Sequence, residues 1–266
     1  MTKYYFVSTL LPTLSFEASP DLTFAELDRL FRDNLTAKDY EKTLLIRRFF
    51  DLLNLRAWWK GEPLDTRGVL PSGALEEAVG GRTGFPDYVY EFIDRHPKTE
   101  DRLRHFPFLL AKFFQSVEEV SDPLLRHYLF FERELRLVMV AFRAKKLGRD
   151  LSLELQYEDP EEELVAQLLA QKDADGYELP EKYQSLKALF EQHGDHPLLL
   201  QRGLDQYRYD TLEGFVDMAD LFSIERLLVY LLQFVIVEAW FTLDRTKGAQ
   251  IVDTIAKEEH HHGKNG

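Results

Sequence analysis

Apolar and polar residues follow one another along this chain with the period of amphipathic helices. Apolar positions recur three or four residues apart in two long runs, one ending in "LLIRRFFDLLNLRAWW" and one reading "LLRHYLFFERELRLVMVAF". Signals that begin or end a helix flank such runs. They are Thr23 with Glu26, Thr36 with Asp39, Ser121-Asp122-Pro123, Asp159-Pro160, Pro180 and Gly148. The pattern predicts an all-α protein made of helical bundles.

Strand signals are confined to two short segments. Tyr4–Ser8 is short and apolar, and Leu151–Tyr157 alternates apolar with polar residues. We predict at most one minor β pair from them, with extended loops as the equal alternative.

One long apolar segment lies towards the C-terminus. Thr211–Leu243 is predicted to be helical, with a break near Ser223. Its most apolar part, Leu227–Phe241, is interrupted by Gln233 and Glu238 and is shorter than the roughly 18 to 20 apolar residues that cross a bilayer. We interpret it as a buried core helix. The start of the chain lacks a secretory signal pattern, so we expect a soluble protein.

The amino-acid composition argues against several classes of function. The chain has 266 residues, a formal net charge of -13 and no cysteine. The acidic balance argues against binding nucleic acid, which needs a basic face, and the lack of thiols excludes disulfides and zinc–thiolate sites. Neither a P-loop nor a dinucleotide-binding glycine motif is present. The sequence therefore predicts a protein without catalytic residues, cofactor or metal, in a reducing cytoplasm.

An internal repeat organises the chain. Asp51–Gly61 ("DLLNLRAWWKG") and Glu134–Gly148 both run from an acid through a cation to a glycine, and each is followed by an acidic loop and a new helix. The spaced positions are Asp51, Asn54 and Lys60 in one copy and Glu134, Leu137 and Arg143 in the other. A weaker third copy is predicted at Leu231–Ile255, where Lys247-Gly248 ends one helix and Ile251 begins the next. A repeat of this kind predicts one helix–loop–helix unit used more than once.

At these residues the chain resembles the C/d-type connector subunits of V/A-type rotary ATPases, the C-type of bacteria and archaea and the d-type of eukaryotic V-ATPases. That family consists of three related helical units, each with an Asp-x-x-Asn-Leu helix, a basic segment, a glycine and a Leu-Pro-Gly-like turn. "DLLNLRAWWKGEPLDTRGVLPSGALEEAV" matches the first unit, and the segment around Glu134 is similar to the second. The predicted units are 1–80, 81–172 and 173–259, followed by a flexible tail at 260–266.

The resemblance implies a mechanical function. Subunits of this family form a socket between the membrane rotor ring and the central stalk, and they support proton or sodium transport coupled to ATP synthesis or hydrolysis. The expected partners are therefore rotor-ring and central-stalk subunits, on the cytoplasmic face of the membrane and without a membrane span. The alternatives are an assembly or regulatory factor with the same fold and an unrelated helical metal-binding protein.

Two groups of residues are candidates for partner binding. Trp58 and Trp59 are adjacent in a helix and point about 100° apart, so we expect one in the core and the other near a surface or between units. Tryptophan is enriched at interfaces, but a second core contact through the following loop is the favoured explanation. Lys145, Lys146 and Arg149 form a basic cluster in an acidic chain. They fit the negative end of a helix dipole, an acidic partner surface or the membrane-proximal rim of a rotor.

Other polar groups fit structural roles. His193–His196 ("HGDH") precedes Pro197 and is interpreted as a helix end rather than a metal site. Ser72 is interpreted as a helix N-cap. The pair Asp101 and His105 is interpreted as a surface contact. The tail histidines at 260–262 are expected to bind metal only adventitiously.

Overall fold

The computed structural model describes residues 2–71, 73–174, 177–216 and 220–262, and for 117–118 and 244–262 it describes the backbone alone. All the regular structure in this part of the chain is helical, which confirms the predicted all-α fold. The α-helices are α1 Tyr5–Leu10, α2 Phe24–Asn34, α3 Ala37–Lys60, α4 Ala74–Gly81, α5 Asp87–Arg95, α6 Thr99–Gln115, α7 Pro123–Lys146, α8 Leu151–Glu154, α9 Glu163–Leu169, α10 Lys187–His193, α11 Pro197–Glu213 and α12 Ile224–His262. Short 3₁₀ helices lie at Ser116–Glu119 and Glu181–Leu186.

Two helix boundaries follow the predicted caps, whereas the predicted start at Asp159-Pro160 is wrong, because α9 begins at Glu163. The Thr23 side chain accepts a hydrogen bond from the Glu26 N–H, and the Glu26 carboxylate accepts one from the Thr23 N–H, which is a complete capping box. Asp122 caps α7 by accepting from Leu125 N at 3.1 Å, with Pro123 in the first turn. Local chemistry therefore fixes where these helices begin.

Neither segment forms the predicted strand or the alternative extended loop, because Tyr5–Leu10 and Leu151–Glu154 are helical and residues 155–157 form a turn. Around α1, Tyr4 and Val7 are the buried residues, and their separation of three positions suits a helix. Around α8, Leu151 and Leu155 are buried four positions apart, whereas Leu153 is 62% exposed. The alternation seen in the sequence around Leu151 therefore does not correspond to a buried face.

The C-terminal helices differ from the prediction at both ends. The predicted helix Thr211–Leu243 is interrupted over a longer stretch than a break near Ser223, since α11 ends at Glu213 and α12 begins at Ile224. Helix α12 then continues through Lys247-Gly248 to His262, so the predicted helix end there is wrong, and residues 260–262 are helical. Residues 263–266 of the predicted tail lie outside the described part of the chain.

The chain divides into two compact units. One contains 1–40 and 195–266, and the other contains 41–194, so one boundary falls inside α3. The three repeat units deduced from sequence stay a prediction.

In the first unit, the apolar run of α12 forms the core. Leu228, Val229, Phe234 and Val237 have no exposed surface, and α12 packs along α11. Ile224–Leu243 is long and apolar enough to cross a membrane by length and composition, but 56% of that stretch is buried inside the protein, and soluble core helices meet the same criterion. The burial supports the interpretation as a core helix.

In the second unit, helices α3, α5, α6 and α7 surround a core rich in phenylalanine. Its fully buried members include Leu55, Val89, Phe92 and Leu109. Phe49 contacts Phe113 and Phe114 with ring centroids 5.2 and 5.8 Å apart. Packing against this core holds α3 in place, and residues of α3 form the candidate site described below.

Candidate functional site

Two polar residues lie on the buried face of α3. Asp51 and Asn54 are 3% and 4% exposed, and they alternate with the buried Leu52 and Leu55. Their spacing of three residues places both side chains on one side of the helix. Buried polar side chains are stable only when they are hydrogen-bonded, so the partners of these two identify their role.

Both side chains bind the backbone of the loop that follows α3. Asn54 donates through Nδ2 to Asp65 O at 2.9 Å and accepts at Oδ1 from Asp65 N at 2.7 Å. Asp51 Oδ1 accepts from Leu70 N at 3.0 Å. The two residues therefore hold both ends of the loop segment 65–70 against the helix.

Arg47 and Gly68 complete this arrangement. Arg47 donates through Nε to Arg67 O at 3.0 Å and through Nη2 to Gly68 O at 2.6 Å. A Cβ atom on Gly68 would lie well inside contact distance of the Asp51 carboxylate and 3.2 Å from Asn54 Nδ2. Only glycine lets the loop approach α3 this closely. We call Arg47, Asp51, Asn54 and Gly68 the loop anchor.

Burial sets the protonation behaviour of Asp51. Burial raises the pKa of its carboxyl group above the ordinary value of 3.8, although N–H groups of Leu70 and Val69 and the charges of Arg47 and Arg48 act in the opposite direction. The folded protein therefore binds the Asp51 proton more tightly than the unfolded chain does. Its contribution to the free energy of unfolding is largest below pH 3.8 and decreases as the pH rises through the raised pKa.

Replacing Asp51 with Asn gives a pH-dependent result. The new side-chain amide oxygen can still accept from Leu70 N, but the amide cannot ionise, so the deficit of D51N relative to the wild type should shrink as the pH rises from about 4 to about 7. Urea unfolding of both proteins at several pH values, followed by tryptophan fluorescence, measures this. Glu41→Gln, which removes an exposed acid from the same helix, is the control. A D51N deficit that grows with pH would contradict the assignment.

A cavity of about 400 Å³ reaches the loop anchor. Asp51 contributes to its wall together with Leu45, Phe85, Tyr88 and Phe113. Burial raises the pKa of the Tyr88 hydroxyl to about 12. The volume lies within the range of roughly 300 to 1,000 Å³ that is usual for small-molecule sites.

The second copy of the repeat, Glu134–Gly148, ends its helix in the same way as the first copy, but it lacks the loop anchor. Helices α3 and α7 both have 24 residues, and Gly61 and Gly148 follow them with left-handed φ values of 69° and 61°. The residue after each glycine donates its N–H to the carbonyl five positions earlier, at 2.9 and 2.8 Å. This is the Schellman arrangement in both copies, and it confirms Gly148 as a helix end.

Glu134 and Leu137 do not do in the second copy what Asp51 and Asn54 do in the first. Glu134 accepts from the Tyr183 hydroxyl at 3.0 Å and is paired with Lys182, while Leu137 is fully buried. Both Glu134 partners belong to the 3₁₀ helix Glu181–Leu186, far beyond the loop that follows α7. The acidic residue at this position of the repeat therefore binds a different segment in the second copy.

A buried ion-pair network instead binds α7 to the segment between α8 and α9. Arg133 is bound to Glu158 at 2.8 Å and to Glu162 at 2.6 Å, and Arg136 is paired with the other oxygen of Glu158. Burial by itself would lower the pKa of Arg133, but the hydrogen bonds to Glu162 and Glu158 raise it above its ordinary value. Arg133 and Arg136 are spaced three residues apart, as are Asp51 and Asn54. Sequence reasoning missed this pairing, because Glu158 lies 25 residues after Arg133.

Both candidate tryptophans pack against the same core. Trp58 and Trp59 are half-buried and lie against the phenylalanine-rich cluster of the second unit. The Trp59 ring stacks on Phe92 with centroids 6.1 Å apart, and Arg102 lies 5.6 Å from it on one face. The structure has the second core contact that was the alternative, and not a separation into one core and one surface tryptophan. Partner binding by either residue stays a prediction.

The basic cluster contains one inward-directed lysine. Lys145 Nζ donates to Lys172 O at 2.6 Å and Ala174 O at 2.7 Å, so it secures the segment after α9. Lys146 is exposed and lies 5.9 Å from the Phe142 ring. Arg149 makes an exposed ion pair with Glu154 at 3.4 Å. Lys145 is thus bound to backbone carbonyls of its own chain and Arg149 to Glu154, while Lys146 is exposed beside Phe142.

The histidine-containing motifs lie at helix ends or in ring contacts. His193 ends α10, Gly194 follows as its C-cap, and His196 precedes Pro197 at the start of α11, as interpreted from the sequence. His105 stacks on His96 with centroids 4.7 Å apart and shares a 2.6 Å hydrogen bond with Tyr157. Ser72 lies outside the described residues. Within the described ranges, no three His, Asp or Glu side chains converge as a metal site would require.

Comparison with known proteins gives family relationships. The family described as "Protein of unknown function (DUF2764)" matches residues 1–259. An uncharacterized protein of Chlamydia pneumoniae is 35% identical over 221 residues, covering 81% of this chain and 83% of its own. An uncharacterized protein of Chlamydia trachomatis is 28% identical over 266 residues, covering 97% and 98%. One of Chlamydia muridarum is 30% identical over 219 residues, covering 80% and 82%. No solved structure matches.

Proposed function

We propose that this chain, which belongs to the DUF2764 family, is a non-catalytic connector subunit of a V/A-type rotary ATPase. In this proposal it lies on the cytoplasmic face of the membrane, between the rotor ring and the central stalk. It would support ion transport coupled to ATP synthesis or hydrolysis by transmitting torque. The chain itself would carry out no nucleotide chemistry.

The loop anchor is the observation that carries this proposal. The Asp51-x-x-Asn54 motif and the Leu70-Pro71 turn are the parts of the sequence that resemble the first unit of the C/d-type connector subunits. In the structure Asn54 binds the backbone of Asp65, five residues before the turn, and Asp51 binds that of Leu70, the first residue of the turn. The residues that the resemblance selected are thus parts of one helix–loop–helix module.

The construction of this module suits a mechanical task. A subunit that transmits torque has to keep its shape under a lateral force, so its loops need fixed positions. Three side chains of α3 together make at least five hydrogen bonds to the loop backbone. Their buried surroundings keep water from competing for these bonds. We therefore expect the loop to move together with α3, a helix of 24 residues, when a force acts on the module.

Co-purification from native membranes tests the proposal. The full-length chain, tagged and expressed at its native level, serves as bait in mild detergent, and mass spectrometry identifies what is retained. We expect rotor-ring and central-stalk subunits in stoichiometric amounts. If the catalytic ATPase subunits are present in the lysate and none is retained, the proposal is wrong. Recovery only with incompletely assembled complexes would favour an assembly factor.

A variant pair links that experiment to the loop anchor. Asn54→Ala removes both hydrogen bonds to Asp65 and should reduce retention of the ATPase subunits, because the loop is released at one end. Gly73→Ala is the matched control, since a Cβ there meets nothing within 4 Å. Thermal unfolding of both variants shows that the bait is folded. If N54A and G73A retained equal amounts of the ATPase subunits, the loop anchor would not contribute to partner binding.

A further inference from the structure

We propose that the cavity beside the loop anchor binds a free α-amino acid with an apolar side chain. In this site the carboxylate of the ligand contacts Arg48 and the Tyr88 hydroxyl, its ammonium group contacts the Asp51 carboxylate, and its side chain lies against the apolar wall. The inference stands apart from the proposed connector function, because the chain can bind a small molecule without any partner subunit.

Apolar side chains form most of the cavity wall. Helix α3 contributes Leu45 and Leu52, α5 contributes Val89, and Phe113 lies near the C-terminal end of α6. Phe85, in the segment before α5, completes this part of the wall. The volume of about 400 Å³ is at the lower end of the range that is usual for small-molecule sites. The cavity therefore suits a small ligand that is apolar over most of its surface.

Two opposite charges line the same cavity without forming an ion pair with each other. Arg48 and Asp51 are three positions apart on α3, so they lie on the same side of the helix. Among the residues that the structure describes, the Arg48 side chain makes no hydrogen bond or ion pair. Arg48 is exposed, which places it at the opening of the cavity. Its guanidinium group is therefore available to bind a carboxylate in bidentate geometry.

Asp51 can accept hydrogen bonds from an ammonium group. The N–H groups of Leu70 and Val69 use part of its acceptor capacity, but an ionised carboxylate has about four lone-pair sites. Burial raises the pKa of Asp51 although the charges of Arg47 and Arg48 act in the opposite direction, so the protein compensates the carboxylate charge incompletely. An ammonium group in the cavity adds this compensation. A ligand with a carboxylate alone would meet the repulsion of Asp51 instead.

The Tyr88 hydroxyl is a second donor for the carboxylate of the ligand. Tyr88 is half-buried and lines the cavity, and within the described ranges its hydroxyl has no hydrogen-bond partner. Burial raises its pKa to about 12, so the hydroxyl keeps its proton at neutral pH. Ser116 also lines the cavity, but its hydroxyl already donates to Phe113 O at 2.6 Å. Arg48, Asp51 and Tyr88 thus match the charged groups of an amino acid, and the remaining wall matches an apolar side chain.

Calorimetric titration of the purified full-length chain tests the site. At neutral pH, L-phenylalanine and L-leucine are compared with glycine and with their own analogues that lack either the amino or the carboxyl group. We expect a dissociation constant below about 1 mM for at least one of the two amino acids, and at least about tenfold weaker binding of its analogues, because each analogue loses a charge-assisted contact. Glycine should also bind at least about tenfold more weakly, since it has no side chain to bury. If neither amino acid bound saturably, or if an analogue bound as tightly as its parent, the inference would be overturned.

Variants of the lining residues assign the binding to this cavity. Arg48→Gln should weaken binding of the amino acid at least about tenfold, but it should not weaken binding of the amine analogue, which has no carboxylate. Tyr88→Phe should weaken binding of the amino acid about two- to tenfold. Arg104→Gln, at an exposed position of α6 outside the cavity wall, is the matched control and should leave the affinity unchanged.

Thermal unfolding without ligand shows that each variant is folded. An affinity that neither Arg48→Gln nor Tyr88→Phe changes would refute the site. Such a failure would leave the connector proposal standing, because the titration contains no ATPase subunit and the co-purification contains no added amino acid.

Discussion

Replacing Arg133 with Met should reduce the free energy of unfolding by about 3 to 5 kcal/mol, the usual effect of removing one partner from a buried ion pair. The Arg133 side chain is 8% exposed and neutralises Glu158, whose side chain is 4% exposed, together with Glu162. Without Arg133, Glu158 keeps only Arg136, and Glu162 loses two hydrogen bonds. Urea unfolding followed by tryptophan fluorescence measures the change.

Two further variants make this result interpretable. Lys182→Met breaks the ion pair with Glu134, in which the lysine side chain is 62% exposed, and should cost less than about 1 kcal/mol. Adding Glu158→Gln and Glu162→Gln to Arg133→Met should recover part of the loss, because the uncompensated charges are removed. A loss for R133M no larger than that for K182M would show that the network contributes little.

Replacing Gly68 with Ala should destabilise the protein by about 3 kcal/mol, combining an overpacked contact with a lost buried hydrogen bond. The new methyl group would overlap the Asp51 carboxylate, so Asp51 would have to move away from Leu70 N or the loop from α3. Gly68 has no positive φ, so the effect comes from space and not from backbone strain. Thermal and urea unfolding measure the change.

The chain supplies a matched control for Gly68. Gly73→Ala adds the same methyl group a few residues later, where nothing lies within 4 Å, and should change stability by less than about 1 kcal/mol. If G68A were as stable as G73A, the loop would not be held closely against α3. The loop anchor would then be too loose to stiffen the module.

Sequence reasoning succeeded where the determining interactions are local. The Thr23–Glu26 capping box, the Asp122-Pro123 start and the Gly148 end depend on residues within one or two helical turns, so their types and spacing are sufficient. It failed for Tyr4–Ser8 and Leu151–Tyr157. Tyr4–Ser8 is too short to show a period, and the alternation in Leu151–Tyr157 does not correspond to a buried face, because Leu153 is exposed.

The candidate site was only partly accessible from the sequence. Asp51 and Asn54 were identified by resemblance, but their task of binding a loop backbone was not. Two polar residues three positions apart among buried leucines could have suggested buried hydrogen bonds. Neither Gly68 nor the Arg133–Glu158 pair gives such a signal, since their importance depends on distances of a few ångströms between separate segments. The inward-directed Lys145 likewise could not be told from Lys146.

ATP-driven ion uptake tests the central claim most directly. Membrane vesicles from cells that lack this chain are compared with vesicles to which the purified protein has been added back, with ATP hydrolysis measured in parallel. The proposed connector function predicts that ATP hydrolysis no longer drives ion uptake without the chain, and that uptake returns when the protein is added. Undiminished ATP-driven uptake in vesicles shown to lack the chain would contradict it.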